Sequence, residues 1–196
     1  FEDGLGKWDS SSSGAGAGVG LSSARARSGW LSALLTAGSD GSRYAEIYRG
    51  FNLPVLSRLG VEISFNVPVA FESLVLQLHV LDGSTRYRFE VTYDDANNRL
   101  DRLNDAGGLT TVASSVILAG WGKMFHTLKL VGDLTTGKYQ RLILNDATYD
   151  LSDGAAFSSA DAGAARLEMT LRVTGRSAQN DTVHIDDVIV TQNEPA

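Results

Sequence analysis

In the stretch T-R-Y-R-F-E-V-T-Y, Arg86, Arg88 and Glu90 alternate with Tyr87, Phe89 and Val91. A period of two puts the three charged groups on one face of a strand and the apolar residues on the other. The same rhythm gives Gln77 and His79 a common side, Glu168, Thr170 and Arg172 another, and Glu62, Ser64 and Asn66 a third. If these strands are neighbours in one sheet, they build a polar, charged concave face. Guanidinium, amide, imidazole and carboxylate groups hydrogen-bond hydroxyls in pairs, which is the chemistry that holds a sugar. The plainer reading is that every antiparallel sheet can leave one face in water. The candidate ligand-binding set is therefore Gln77, His79, Arg86, Arg88, Glu90, Glu168 and Arg172.

A sugar face also wants a flat ring to stack on. Trp30 and Trp121 are the nominated platforms, since each follows a loop-like or glycine-containing segment, and Tyr44, Tyr48, Phe125 and Tyr139 could stack if exposed. Trp8, Phe89 and Tyr93 fall in core phase. Two acidic pairs stand near the chain ends, Glu2-Asp3 and Asp186-Asp187. If the first and last strands lie side by side, these four carboxylates, with backbone carbonyls, offer the oxygens a hard cation such as calcium takes. The alternative is four solvated strand-end carboxylates. No organic cofactor is implied.

Other chemistries lack their groups. The chain has no cysteine and three histidines, His79, His126 and His184, with no H-x-x-x-H or H-E-x-x-H spacing. His126 is expected to pack or hydrogen-bond locally. No G-x-S-x-G elbow is present. Glycoside hydrolysis needs two facing carboxylates, and Glu62-Ile63-Ser64 comes nearest to an acidic strand motif but lacks the partner acid. A net charge of −6 with no basic run argues against nucleic acid. No apolar run reaches the length of a membrane helix.

These residues must be positioned by strands. Helical periodicity is almost absent, and short β-rich segments are parted by Gly, Asn, Asp and Ser clusters. The segments are Trp30–Ala37, Tyr44–Arg49, Leu59–Val67, Ser73–Leu81, Thr85–Tyr93, Phe125–Leu134, Tyr139–Leu144, Arg166–Thr174 and Thr182–Thr191, with Arg99–Leu103 returning antiparallel after the Asp94–Asn98 turn. Asp9–Gly20 and Asp153–Ala165 read as loops, the second with a helical turn around Ser158–Ala162. The 196 residues suit one domain, residues 1–196, an all-β two-sheet antiparallel sandwich of jelly-roll type. A first residue that is Phe rather than Met is expected of a processed or excised chain.

Three patches carry a resemblance. Phe1-Glu2-Asp3-Gly4 with Trp8, Trp121-x4-His126 with the D-x-T-T-G-K-Y hairpin, and Val183-His184-Ile185-Asp186-Asp187-Val188-Ile189-Val190 resemble strands of the concanavalin A-like lectin/glucanase (laminin-G-like) superfamily and related carbohydrate-binding jelly rolls. That resemblance implies a glycan groove on the concave sheet, a structural calcium near Glu2, Asp3, Asp186 and Asp187, and a secreted or surface location. Gln77-Leu78-His79 also resembles the Q-[IV]-H strand of alginate-lyase-like jelly rolls, which implies His79 as general base and Gln77 as charge neutraliser. The other strand motifs of that family are absent. Three roles follow: a non-catalytic carbohydrate-binding or adhesion module, cut from a larger multidomain protein; a structural module of a virion or cell surface that self-assembles; and a polysaccharide lyase.

Overall fold

The computed structural model describes residues 1–39, 43–51, 57–120, 122 and 124–195. Among the described residues the regular structure is all strand, without a helix. In chain order the strands are β1 (Asp9–Ser12), β2 (Ala17–Ser22), β3 (Ser32–Ala37), β4 (Tyr44–Phe51), β5 (Arg58–Asn66), β6 (Ser73–Leu81), β7 (Thr85–Asp94) and β8 (Arg99–Leu103). There follow β9 (Leu109–Ser114), β10 (His126–Asp133), β11 (Lys138–Leu144), β12 (Ala147–Asp150), β13 (Phe157–Ala160), β14 (Arg166–Thr174) and β15 (Thr182–Gln192).

They form two antiparallel sheets. One runs β1-β4-β14-β6-β7-β8-β9, with β13 also pairing to β7, making eight strands among the described residues. The other runs β12-β11-β10-β5-β15-β3-β2, seven strands. The expected two-sheet sandwich is the observed fold.

The sandwich is held by what alternation turns inward. From the eight-stranded sheet come Leu74, Leu76, Leu78, Phe89, Val91, Tyr93, Met169 and Leu171, and from the other Leu59, Val61, Ile63, Phe65, Leu128, Leu130 and Ile185, all fully buried. Each such aliphatic side chain contributes about 1.5–3 kcal/mol by leaving water. Tyr139, from β11, crosses the core: its ring meets Phe89 edge-on at 5.3 Å, and its hydroxyl accepts from the Glu90 N–H at 2.9 Å and donates to the Leu103 carbonyl at 3.0 Å. That bond pair ties β11 of one sheet to β7 and β8 of the other. Gly132 leaves room for the same contact, since a Cβ there would stand 2.8 Å from the Phe89 ring.

Four local expectations are corrected. The Asp9–Gly20 stretch is not all loop, because Asp9–Ser12 pairs with β4 and Ala17–Ser22 pairs with β3. Small residues without strand propensity are held there as edge strands by their partners. The segment around Ser158–Ala162 is no helical turn; Phe157–Ala160 pairs with Arg88–Thr85 of β7. The first and last strands are not side by side, since β1 lies in one sheet and β15 in the other. Trp30 precedes its strand, which begins at Ser32.

Beyond β15 the chain folds back on the outer side of the seven-stranded sheet. Glu194, 9% exposed, meets Lys129 at 2.6 Å and Arg141 at 2.8 Å, and Arg141 also donates to the Pro195 carbonyl at 2.7 Å.

Removing the Tyr139 hydroxyl by Tyr139→Phe strands two buried backbone groups, so stability falls by about 1–3 kcal/mol, read as a lower urea midpoint with an unchanged slope.

Candidate functional site

Register decides which polar residues share a surface. β4, β14, β6 and β7 are consecutive in the eight-stranded sheet, and their outward residues align in rows across it. One row is Glu46, Arg172, Val75 and Thr92; the next is Tyr48, Thr170, Gln77 and Glu90; the third is Gly50, Glu168, His79 and Arg88. A fourth runs Arg166, Leu81 and Arg86, with Ser159 of β13 beyond. Strand adjacency, which alternation alone does not give, thus brings Gln77, His79, Arg86, Arg88, Glu90, Glu168 and Arg172 together on one face.

These side chains brace one another. His79 Nε2 donates to the Gln77 amide oxygen at 3.2 Å, and Gln77 Nε2 donates to Glu90 at 2.8 Å. Arg88 stands 3.4 Å from the same Glu90 carboxylate and lies over the Phe157 ring at 5.4 Å. Arg172 meets Glu46 at 2.7 Å and covers the Tyr44 ring at 4.4 Å. Arg86 reaches Asp161 at 2.6 Å, where the 161–165 segment bounds the face. Asp161 titrates below the usual carboxylate range because the Gly163 N–H bonds it, with Arg86 adding to the effect. Burial first, then Arg86, Arg88 and Arg166, pull His79 down to about 4, so its imidazole is neutral at pH 7. A network this constrained presents its remaining donors and acceptors at low ordering cost.

Three predicted members of the surface lie elsewhere. Glu62, Ser64 and Asn66 belong to β5, on the outer side of the seven-stranded sheet. Ser64 and Asn66 are fully buried there under the 23–31 loop and beside Gly122 and Met124: Arg27 bonds Ser64, Arg25 donates to Asn66 at 3.2 Å, and Asn66 donates to the Gly122 and Met124 carbonyls. Trp30 sits in that same loop, 80% exposed and remote from the Gln77 rows. Trp121 lies outside the described residues. Tyr139, a possible platform by sequence, is a core residue. The rings that do reach the face are Tyr44, Tyr48 and Phe157, and the signal for the first two was their own alternation in Tyr44–Phe51. His126 is buried, pairing with the Ala119 carbonyl at 3.0 Å and with Asn145 at 3.1 Å.

The four acids expected to hold calcium line one cleft with Phe1, Gly4, Lys7, Trp8, Arg49 and Val188. Each carboxylate with close partners is turned to the 23–31 loop. Glu2 accepts from the Trp30 and Leu31 N–H groups at 2.8 and 2.7 Å, which lowers its pKa, Leu31 having the larger effect. Asp186 accepts from the Arg27 and Ser28 N–H groups at 2.8 and 3.2 Å, and Asp187 accepts from the Ser28 hydroxyl at 2.6 Å. A bulge in β15 between Asp186 and Ile189, with Asp187 at φ +44, lets both neighbours face that loop. Asp3 points outward beside Lys7 at 3.9 Å. Among the described residues no three His, Asp or Glu groups converge as a metal cage. As placed, these acids fit a loop clamp better than an ion.

No family model matches the sequence, and neither does any curated protein. Solved structures do match in shape. The chain is similar to the cellulose induced protein Cip1 (TM-score 0.59, 16% identity, 95% of this chain and 92% of that one). It is similar to the carbohydrate binding module CBM66 from Bacillus subtilis (TM-score 0.51, 10% identity, 95% and 96%). It also matches part of a sialidase (TM-score 0.59, 14% identity), covering 97% of this chain but spanning only 17% of the sialidase. At these identities the shared property is the two-sheet fold.

Two measurements test this arrangement. His79 and the buried His184, which burial and Arg25 pull down to about 4, bind protons in the folded chain only near that pH, whereas the unfolded chain takes them up near 6.5. Their contribution is therefore whole above about 6.5 and lost as pH falls toward 4, so the urea midpoint drops across that window, less steeply in His184→Gln. Thermal unfolding in excess calcium and in EDTA is expected to give the same midpoint. A rise in calcium that Asp187→Asn abolishes would put an ion in the cleft.

Proposed function

We propose that this chain is a non-catalytic carbohydrate-binding module, secreted or surface-displayed, that holds a polysaccharide or glycan on the outer face of its eight-stranded sheet. We place it among the concanavalin A-like and related carbohydrate-binding jelly rolls. The observation that carries the reading is the register: seven polar and charged residues from three adjacent strands, Gln77 and His79 of β6, Arg86, Arg88 and Glu90 of β7, and Glu168 and Arg172 of β14, share one face. Likeness in fold to a protein described as a carbohydrate binding module agrees with it.

Binding here is a matter of many hydrogen bonds, each of modest net worth, made by groups already fixed by their neighbours. Gln77 and Glu90 occupy the middle row, and His79, Arg88 and Glu168 the row beside it. Hydroxyls entering between the rows find donors from amide and guanidinium and acceptors from carboxylate and imidazole.

The second reading is an alginate-lyase-like activity, supported by the Gln77–His79 contact and the neutral state of His79. Incubation with alginate, followed by absorbance of unsaturated ends, separates the two, and the module reading expects no product.

Pull-down and calorimetry against a panel of polysaccharides test the main reading. Gln77→Ala and Arg88→Ala are each expected to weaken binding to the bound glycan about tenfold, the effect of losing roughly one well-placed polar contact. Trp30→Ala is expected to leave binding unchanged. Wild-type silence across the panel would remove the proposal.

A further inference from the structure

The charge pattern of the face says more about the ligand, given that the face binds a glycan at all. Four guanidinium groups project from its central strands, and each has a carboxylate. Arg86 meets Asp161 at 2.6 Å, Arg172 meets Glu46 at 2.7 Å, Arg88 meets Glu90 at 3.4 Å and Arg166 meets Glu168 at 3.9 Å. The core of the face is therefore electrically balanced. Its margin at β8 is acidic, since Arg99 is shared by Asp94 at 3.1 Å and Asp101 at 2.8 Å. A carboxylate or sulfate on the ligand meets cations already paired with carboxylates and, toward β8, a net negative edge. The neutral imidazole of His79 adds no charge at pH 7.

A place for a sugar ring is legible in the same rows. Tyr48 is half-buried, and two residues on, Gly50 carries no side chain where its row neighbours carry Glu168 and His79. A Cβ at Gly50 would have only the Leu167 carbonyl within 4 Å, at 3.9 Å, so the position is uncrowded on its solvent side. A glycine inside a strand often marks such a close approach. The opening lies beside Tyr48, which among the described residues is the one ring of the face without a guanidinium over it; Tyr44 and Phe157 each have one.

We infer that this face selects neutral polysaccharides, free of carboxylate and sulfate groups, and that Tyr48 with the gap over Gly50 seats a sugar ring. This rests on the carbohydrate-binding reading above and narrows it. Selection against acidic chains is electrostatic, and the stacking supplies affinity that salt does not screen.

Affinity gel electrophoresis of the intact chain tests it, with soluble β-glucan, galactan, xylan and galactomannan as neutral probes and polygalacturonate and alginate as acidic ones. Retardation by at least one neutral probe, none by the acidic ones, and indifference to added salt is the expected result. Retardation by the acidic probes without the neutral ones overturns the inference while leaving carbohydrate binding in place. Retardation by none removes both.

Three variants sharpen the outcome. Tyr48→Ala is expected to lose about tenfold in affinity for the neutral probe while Tyr48→Phe keeps it. Equal loss in both, or loss in neither, overturns the assigned seat. Glu168→Gln, at a half-buried and loosely paired position, uncovers Arg166 and is expected to raise affinity for polygalacturonate about threefold, an effect that salt removes. No gain there would overturn charge balance as the basis of selection.

Discussion

Side chains of a strand cannot choose their faces independently, and this constraint underlies everything functional in the molecule. Burying Leu76 and Leu78 of β6, Met169 and Leu171 of β14, and Phe89 and Val91 of β7 fixes the register of three adjacent strands. The same step commits Gln77, His79, Thr170, Glu168, Arg88 and Glu90 to the opposite side. A slip of one residue in any of these strands would expose aliphatic surface and drive charge into the core. The hydrophobic effect thus holds a polar surface in place without touching it. The Tyr139 hydroxyl adds a directional lock between the layers, since it reaches backbone groups of both β7 and β8.

The two faces of the sandwich are used differently. On the eight-stranded sheet the outward residues are paired among themselves and half-open to water. On the seven-stranded sheet they are largely covered: the 23–31 loop lies over Ser64 and Asn66, Gly122 and Met124 bond Asn66, and Glu194 and Pro195 lie over Lys129 and Arg141. Burial of His184 beside Ser32, at 3.0 Å, and of Asp186 beneath the loop amides belongs to the same covering. Polar residues by the same alternation rule therefore become structural struts on one sheet and an available surface on the other.

That difference marks what could be read from the sequence. Alternation placed Ser73–Leu81 and Arg166–Thr174 to the residue and found the inner and outer sides of Thr85–Tyr93, because long central strands carry many side chains that must agree. It was silent on adjacency. Nothing in the string joined Gln77 to Glu168, or parted both from Glu62, since pairing across β14 and β6 is a long-range outcome. The short edge strands β1, β2, β9, β12 and β13 escaped notice because their Ser, Gly, Ala and Thr residues have little apolar rhythm and are ordered by a neighbour. A ring that follows a glycine-containing segment, as Trp30 does, carries no strand phase, whereas Tyr48 reaches the face through its phase in β4. The acids at the two ends were correctly brought near each other, but through a loop between them rather than through paired strands.

The tether at Glu194 has a practical consequence for display. With its carboxylate held by Lys129 and Arg141, and Pro195 held by Arg141, the polypeptide leaves the body over the seven-stranded sheet. A tag, bead or fusion partner joined after this point stands behind the molecule, with Gln77 and Tyr48 directed away from the support. Immobilisation through the carboxyl end consequently orients the module front outward, whereas random coupling through Lys129 would pull at the latch that keeps that exit fixed.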